Sequence, residues 1–165
     1  MMIPHPSRQV VRVDAQAQLI PQVVIVVAVD TAYVASHGNG FITSGLYMID
    51  NMVRRGSSNE GALDLHTVCN VGSLIGFHSV PVDAAGGFGD QVVITSFADV
   101  QGNVFTGAGH PIQQPPLGSE PQGSYWIGQA IGAGTEIYQI QIKVTVGQLQ
   151  PVSFYVQWNA QITAS

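Results

Sequence analysis

Apolar and polar positions along the chain recur with the short period of β-strands. In residues 138–146, Tyr138, Ile140, Ile142, Val144 and Val146 alternate with Gln139, Gln141, Lys143 and Thr145, so one face meets a core and the other meets water. Val152, Phe154, Val156 and Trp158 repeat this alternation after the Gly- and Pro-containing stretch 147–151, which predicts a terminal hairpin. Residues 23–29 read Val-Val-Ile-Val-Val-Ala-Val, a continuous β-branched run of the kind found in a central strand buried on both faces. Further strands are predicted over 46–53, 62–71, 74–82 and 91–97. In the second of these, Leu63, Leu65, Thr67 and Cys69 point one way while Asp64, His66, Val68 and Asn70 point the other. No window of about a dozen residues shows a comparable helical period.

Between the strands lie turn-forming stretches at 55–61 and 83–90, rich in Gly, Ser, Asn and Asp. A Gly/Pro/Gln-rich stretch at 101–121 exceeds the usual length of a connection, so it is read as an ordered excursion or a functional loop. Residues 1–21, interrupted by Pro4, Pro6 and Pro21, offer no periodic face to bury and form an N-terminal arm whose order depends on a partner. The expected organisation is that arm, a candidate for exchange between subunits, followed by one domain over 22–165. The fold class is all-β: a single-domain antiparallel β-sandwich, jelly-roll-like, with few or no helices.

Composition changes the picture of the surface. Only 9% of the 165 residues are charged although 45% are hydrophobic, against roughly 25% charged in ordinary domains. Sixteen glutamines supply much of the polar surface instead. The formal net charge is −5, and the five Lys and Arg form no extended cluster. Nucleic acid and anionic membrane surfaces are therefore excluded as expected partners, since both are held by clustered basic side chains. The apolar run 23–29 is closed by Asp30, far short of the ~20 residues of a membrane span. The N-terminus lacks the basic-then-apolar order of a signal peptide, so a cytoplasmic location is expected. A single cysteine, Cys69, forms no internal disulfide.

Several segments in order resemble the bacterial AidA/PixA inclusion-body protein family. They are the run from Val23 through Asp30-Thr-Ala-Tyr33, Leu46-Tyr-Met-Ile49, Leu63-Asp-Leu65 leading to Asn70-Val-Gly72, Tyr125-Trp-Ile127, the 138–146 strand and Trp158. The resemblance spans residues 23–162. It departs after Trp158, where Asn159-Ala160 stand in place of the Asp-Pro that tends to follow in the family. It implies a small cytoplasmic β-sandwich, associated with quorum-regulated expression or dense intracellular inclusions, with no established catalytic activity. It supplies no catalytic residues.

Asp64 and His66, two apart on one strand face, have the spacing to chelate a metal, against the plainer reading of a polar outer strand face. Tyr125 and Trp126, just past the long loop, suit a carbohydrate-stacking platform, against the simpler reading that one ring enters the core and the other sits at its rim. The Gly86-Gly-Phe-Gly89-Asp90 stretch reads as a turn rather than a calcium loop, and Gly107-Ala-Gly109 and Gly132-Ala-Gly134 as turns rather than phosphate loops. Cys69, on the Leu65 face, reads as a buried thiol. No catalytic residue and no cofactor is assigned. The function expected is a non-enzymatic, self-associating β-sandwich, a homodimer most simply. Its low charge weakens repulsion between copies, and exposed sheet edges are expected to offer pairing surfaces. A lectin-like module binding a glycan is the alternative.

Overall fold

The computed structural model describes residues 19–83, 89–147 and 149–165. The arm up to residue 18, and Gly86, Gly87 and Phe88 of the glycine-rich turn, lie outside the described residues. Ten strands and one short helix follow in the order β1 (Val23–Val29), α1 (Thr31–His37), β2 (Gly40–Phe41), β3 (Leu46–Asp50), β4 (His66–Cys69), β5 (Leu74–Pro81), β6 (Gln91–Gln101), β7 (Ile112–Gln113), β8 (Tyr125–Gln129), β9 (Gly134–Val146) and β10 (Val152–Ala164).

They form two facing sheets, the sandwich that the alternating pattern predicts. The first has the order β3-β1-β5-β8-β7; the second has β2-β10-β9-β6, with β4 also pairing β10. Most pairings are antiparallel, but β1 runs parallel to β5 and β10 runs parallel to both β2 and β4, so the sheets are mixed. Adjacent segments cannot make a parallel pair through a tight turn. These pairings join segments distant in sequence, which local periodicity does not reveal.

The hairpin of β9 and β10 is the longest element, pairing Val152 with Val146 through to Ala164 with Gly134. Tyr138, Ile140, Ile142 and Val144 of β9 and Val156, Trp158, Ala160 and Ile162 of β10 are buried. Against them stand Val23, Ile25, Val27 and Val29 of β1 and Ile75 and Phe77 of β5. Phe77 sits at the centre of an aromatic cluster, its ring 4.7 Å from Phe97, 5.8 Å from Tyr138 and 6.1 Å from Phe105, within the range of favourable aromatic contact.

Three local expectations need correction. Strand β1 is central, between β3 and β5, but only one of its faces is buried: Val24 is exposed and Val26 and Ala28 are half-buried. The outer face of the first sheet is thus apolar along β1 and only partly covered, Pro21 and the Tyr125 ring lying over Gly76. The strand predicted over 62–71 shortens to β4, because residues 61–64 turn; Asp64 lies in that turn and not on the strand. Helix α1 was not anticipated. Asp30 caps it by accepting a hydrogen bond from Tyr33 N (3.1 Å), and Gly38 at φ 87° ends it, signals that a search for longer periods passes over.

Candidate functional site

The outer face of the second sheet, the start of β8 and a groove beside β3 carry polar side chains available for function. The alternate residues of β9 and β10 that do not enter the core meet on that sheet face in register as cross-strand pairs: Gln139 with Asn159, Gln141 with Gln157, and Thr145 with Ser153. Each pair is hydrogen-bonded. Gln139 Nε2 donates to Asn159 Oδ1 at 3.4 Å, Gln141 Nε2 to Gln157 Oε1 at 3.3 Å, and the Thr145 and Ser153 hydroxyls lie 3.0 Å apart. Thr95 of β6 extends the network by donating to Gln141 Oε1 at 3.0 Å. Lys143, paired with Tyr155, is the one Lys or Arg on this face of the hairpin. Side chains paired with one another in this way form an ordered surface that, Lys143 apart, is uncharged.

His66 belongs to the same face. Its Nε2 lies 2.7 Å from Thr163 Oγ1, which is in turn 2.7 Å from Thr135 Oγ1. The imidazole is thus tied into the hydroxyl network. Asp64, its proposed co-ligand, lies in the turn before β4 and lines a groove beside β3. Among the described residues no three His, Cys, Asp or Glu side chains gather into a group.

Tyr125 and Trp126 begin β8. Tyr125 is buried at 9% exposure and meets His78 edge-on at 6.4 Å. Trp126 is half-buried, packs against Phe97 at 5.5 Å and spends its indole N–H on the Gly123 carbonyl at 2.9 Å. One ring turns to the core and one to the outer side of the sheet, and neither presents a broad free face. Cys69 is buried, and desolvation, with Asp50 nearby, pushes its thiol up to about 11.

The groove, of about 490 Å³, lies beside β3 and is lined by Asp30, Tyr33, residues 43–47, Ala62, Leu63 and Asp64. Three elements converge to build it: the start of α1, the loop that enters β3, and the turn before β4. Asp30 N donates to the Gly45 carbonyl at 2.9 Å, tying the helix start to that loop. Gly45 holds φ 83°, and a Cβ there would collide with the Tyr33 ring, so the glycine is what lets the ring lie against the loop backbone. Tyr33 and Tyr47 remain 38% and 47% exposed at its edge. Of these residues the sequence reading gave a ligand role only to Asp64. Asp30 and Tyr33 carried a findable signal in the helix cap, whereas Tyr47 looks like any outward strand residue.

A buried carboxylate completes the inventory. Glu136 on β9 is fully buried; its Oε1 accepts from Phe105 N at 2.9 Å, while Oε2 has no partner among the described residues. Burial pushes it up to about 7, a rise that the Phe105 N–H opposes and the Asp99 side chain reinforces.

A family model described only as a domain of unknown function, DUF8788, matches residues 21–150. The chain belongs to that family. The DUF8788 match runs from just before β1 to the turn before β10 and so takes in the whole first sheet and all of the second except β10. The fold is that of PixA: the crystal structure of the inclusion body protein PixA from Burkholderia cenocepacia J2315 superposes with a TM-score of 0.69 at 18% identity, over 91% of this chain and 99% of that one. The resemblance read from the sequence is thus met by a shared architecture. No curated protein matches this DUF8788 member. No helix among the described residues is long and apolar enough to cross a membrane.

Proposed function

We propose that this chain is a non-enzymatic, cytoplasmic protein that self-associates, a homodimer as its smallest closed form, and that builds dense inclusions as the name of its structural neighbour suggests. Quorum-regulated expression accompanies this reading through the AidA/PixA resemblance. The observation that carries it is the outer face of the second sheet. Neutral amides and hydroxyls already paired across the strands lose less on meeting an identical plane than charged groups would, because almost no charge has to be desolvated.

The sheet edges, by contrast, are shielded. Met48 of β3 bonds to Gly61 and Ala62, Ser57 and Ser58 cover β4, and the Gly123 carbonyl takes Ile94 N of β6 at 2.9 Å. Strands β2 and β7 have only two residues each. Short, bulged or covered edges discourage strand addition, so faces and not edges are the surfaces for assembly. The double substitution Gln141→Glu with Gln157→Glu places two like charges on the face without touching the core. Size exclusion with light scattering should then show an oligomer in the wild type and a monomer in the variant; a wild type that stays monomeric at high concentration refutes the proposal. The lectin-like alternative at Tyr125 and Trp126 ranks second because both rings are largely covered. A glycan array without binding, or with binding unchanged by Trp126→Ala, removes it.

A further inference from the structure

Strand β1 is β-branched at every position except Ala28, the composition of a strand buried on both faces, yet its outward side is only partly covered. The register sets Val24 beside Gly76 of β5, Val26 beside Ile49 of β3, and Ala28 between Tyr47 of β3 and Val80 of β5. Among the described residues no Asp, Glu, Lys or Arg occupies an outward position of the first sheet, and Val24, Tyr47 and Ile49 remain exposed. A contiguous apolar face of this kind marks a surface on which something packs.

The chain itself enters that face. Gln22 is pinned at the start of β1: its Oε1 accepts from Leu74 N at 2.7 Å and its carbonyl accepts from Asn51 Nδ2 at 3.2 Å. The backbone bends at Gln22, and Pro21 lies on the outer side of β5 in the space that Gly76 leaves, where a Cβ on Gly76 would stand 2.8 Å from Pro21 Cγ. Followed backwards from Gln22, the chain therefore heads over β1 and β5 rather than away from them. Leu19 is 53% exposed against 80% for Ile20, so the odd-numbered side goes on leaning towards the sheet. The same parity continues upstream. Prolines interrupt the arm as a whole, but between Pro6 and Pro21 the odd positions Val11, Val13, Ala15, Ala17 and Leu19 are apolar while the even positions 12–18 are polar. Nine extended residues reach about 30 Å, more than the roughly 23 Å of a seven-residue strand.

We propose that residues 11–19 lie extended along β1 and β5 on the outer face of the first sheet of their own molecule, with the odd-numbered side chains against Val26, Ala28 and Val80 and the even-numbered ones in water. This gives β1 the two-sided burial that its composition predicts. Pro21, already seated on its own sheet, favours the molecule's own arm over a neighbour's.

The test attaches a nitroxide to the full chain at Gln16→Cys, on the water side of the segment; the buried Cys69 does not compete for the label. Where isotope and nitroxide are on the same molecules, diluted in unmodified protein, the amide signals of Val26, Ala28 and Val80 should broaden. Where they are on separate molecules, those signals should stay sharp. Broadening in the second mixture would mean that the arm crosses to another copy, and sharp signals in both would mean that it does not lie on this face; either result overturns the proposal. Val13→Asp with Ala17→Asp should abolish the broadening and raise binding of an apolar dye several-fold, while the amide signals of β9 and β10 stay in place. Broadening and dye binding unchanged by that double substitution would also overturn it. Association through the second sheet leaves this face free, so the outcome does not depend on it.

Discussion

Tyr138 shows how one atom can be at odds with its surroundings. Its ring is central to the core, yet its hydroxyl finds no partner among the described residues, and burial, with Asp50, Glu136 and Cys69 adding to it, raises its ionisation above the ordinary range. An unpaired buried hydroxyl costs roughly 1–3 kcal/mol. Tyr138→Phe should therefore leave stability unchanged or raise it by up to about 1 kcal/mol, measured as the urea midpoint; a loss above that size would reveal a hidden hydrogen bond. Glu136, two residues away, is the titrating counterpart. Its folded value, about 7, lies above its ordinary 4.5, so the native state holds the proton more tightly than the unfolded chain. The stability this gives is complete below about pH 4.5 and is lost as pH rises through 7. Glu136→Gln keeps the acceptor for Phe105 N and cannot ionise. The variant should match the wild type near pH 4 and exceed it by roughly 1–3 kcal/mol at pH 8; parallel stability–pH curves for the two proteins would contradict this assignment.

At the scale of elements, the β9–β10 hairpin was legible in the sequence because both strands alternate without a break and adjacent strands need only a turn. Strand β4 was half legible: Leu65, Thr67 and Cys69 are buried as their alternation predicts, while Leu63 and Asp64 precede the strand in a turn. The apolar run of β1 told its depth but not how many of its faces are covered, since sequence gives no count of layers. Helix α1 is set by a cap and a terminating glycine rather than by a stripe. The approach of the segment after β6 to β9 depends on another glycine. Gly102 has φ 100°, and a side chain there would strike the Thr135 carbonyl oxygen and Glu136 Cα. Gly102→Ala should destabilise by about 1–3 kcal/mol, seen as a lower thermal midpoint; an unchanged midpoint would mean that the loop can move away from β9.

For the whole molecule, the charge deficit becomes a statement about one face. An interface of paired amides and hydroxyls is insensitive to ionic strength, whereas ion-paired interfaces weaken as salt screens them. The association constant from sedimentation should thus vary less than about threefold between roughly 0.05 and 0.5 M salt; a steep salt dependence would place the contact at a charged surface instead. The sequence by itself determined the strand character, the core side of the terminal hairpin, the buried state of Trp158 and Cys69, and the scarcity of charge, because each is written in local alternation or in simple counts. Tertiary structure alone decided the parallel pairings, the covered edges, the turn that takes Asp64 out of the strand and the meeting of Asp30, Tyr33, Tyr47 and Asp64 around one groove. Those depend on which distant segments become neighbours, and neighbourhood across the sandwich is fixed by the packing of the whole core.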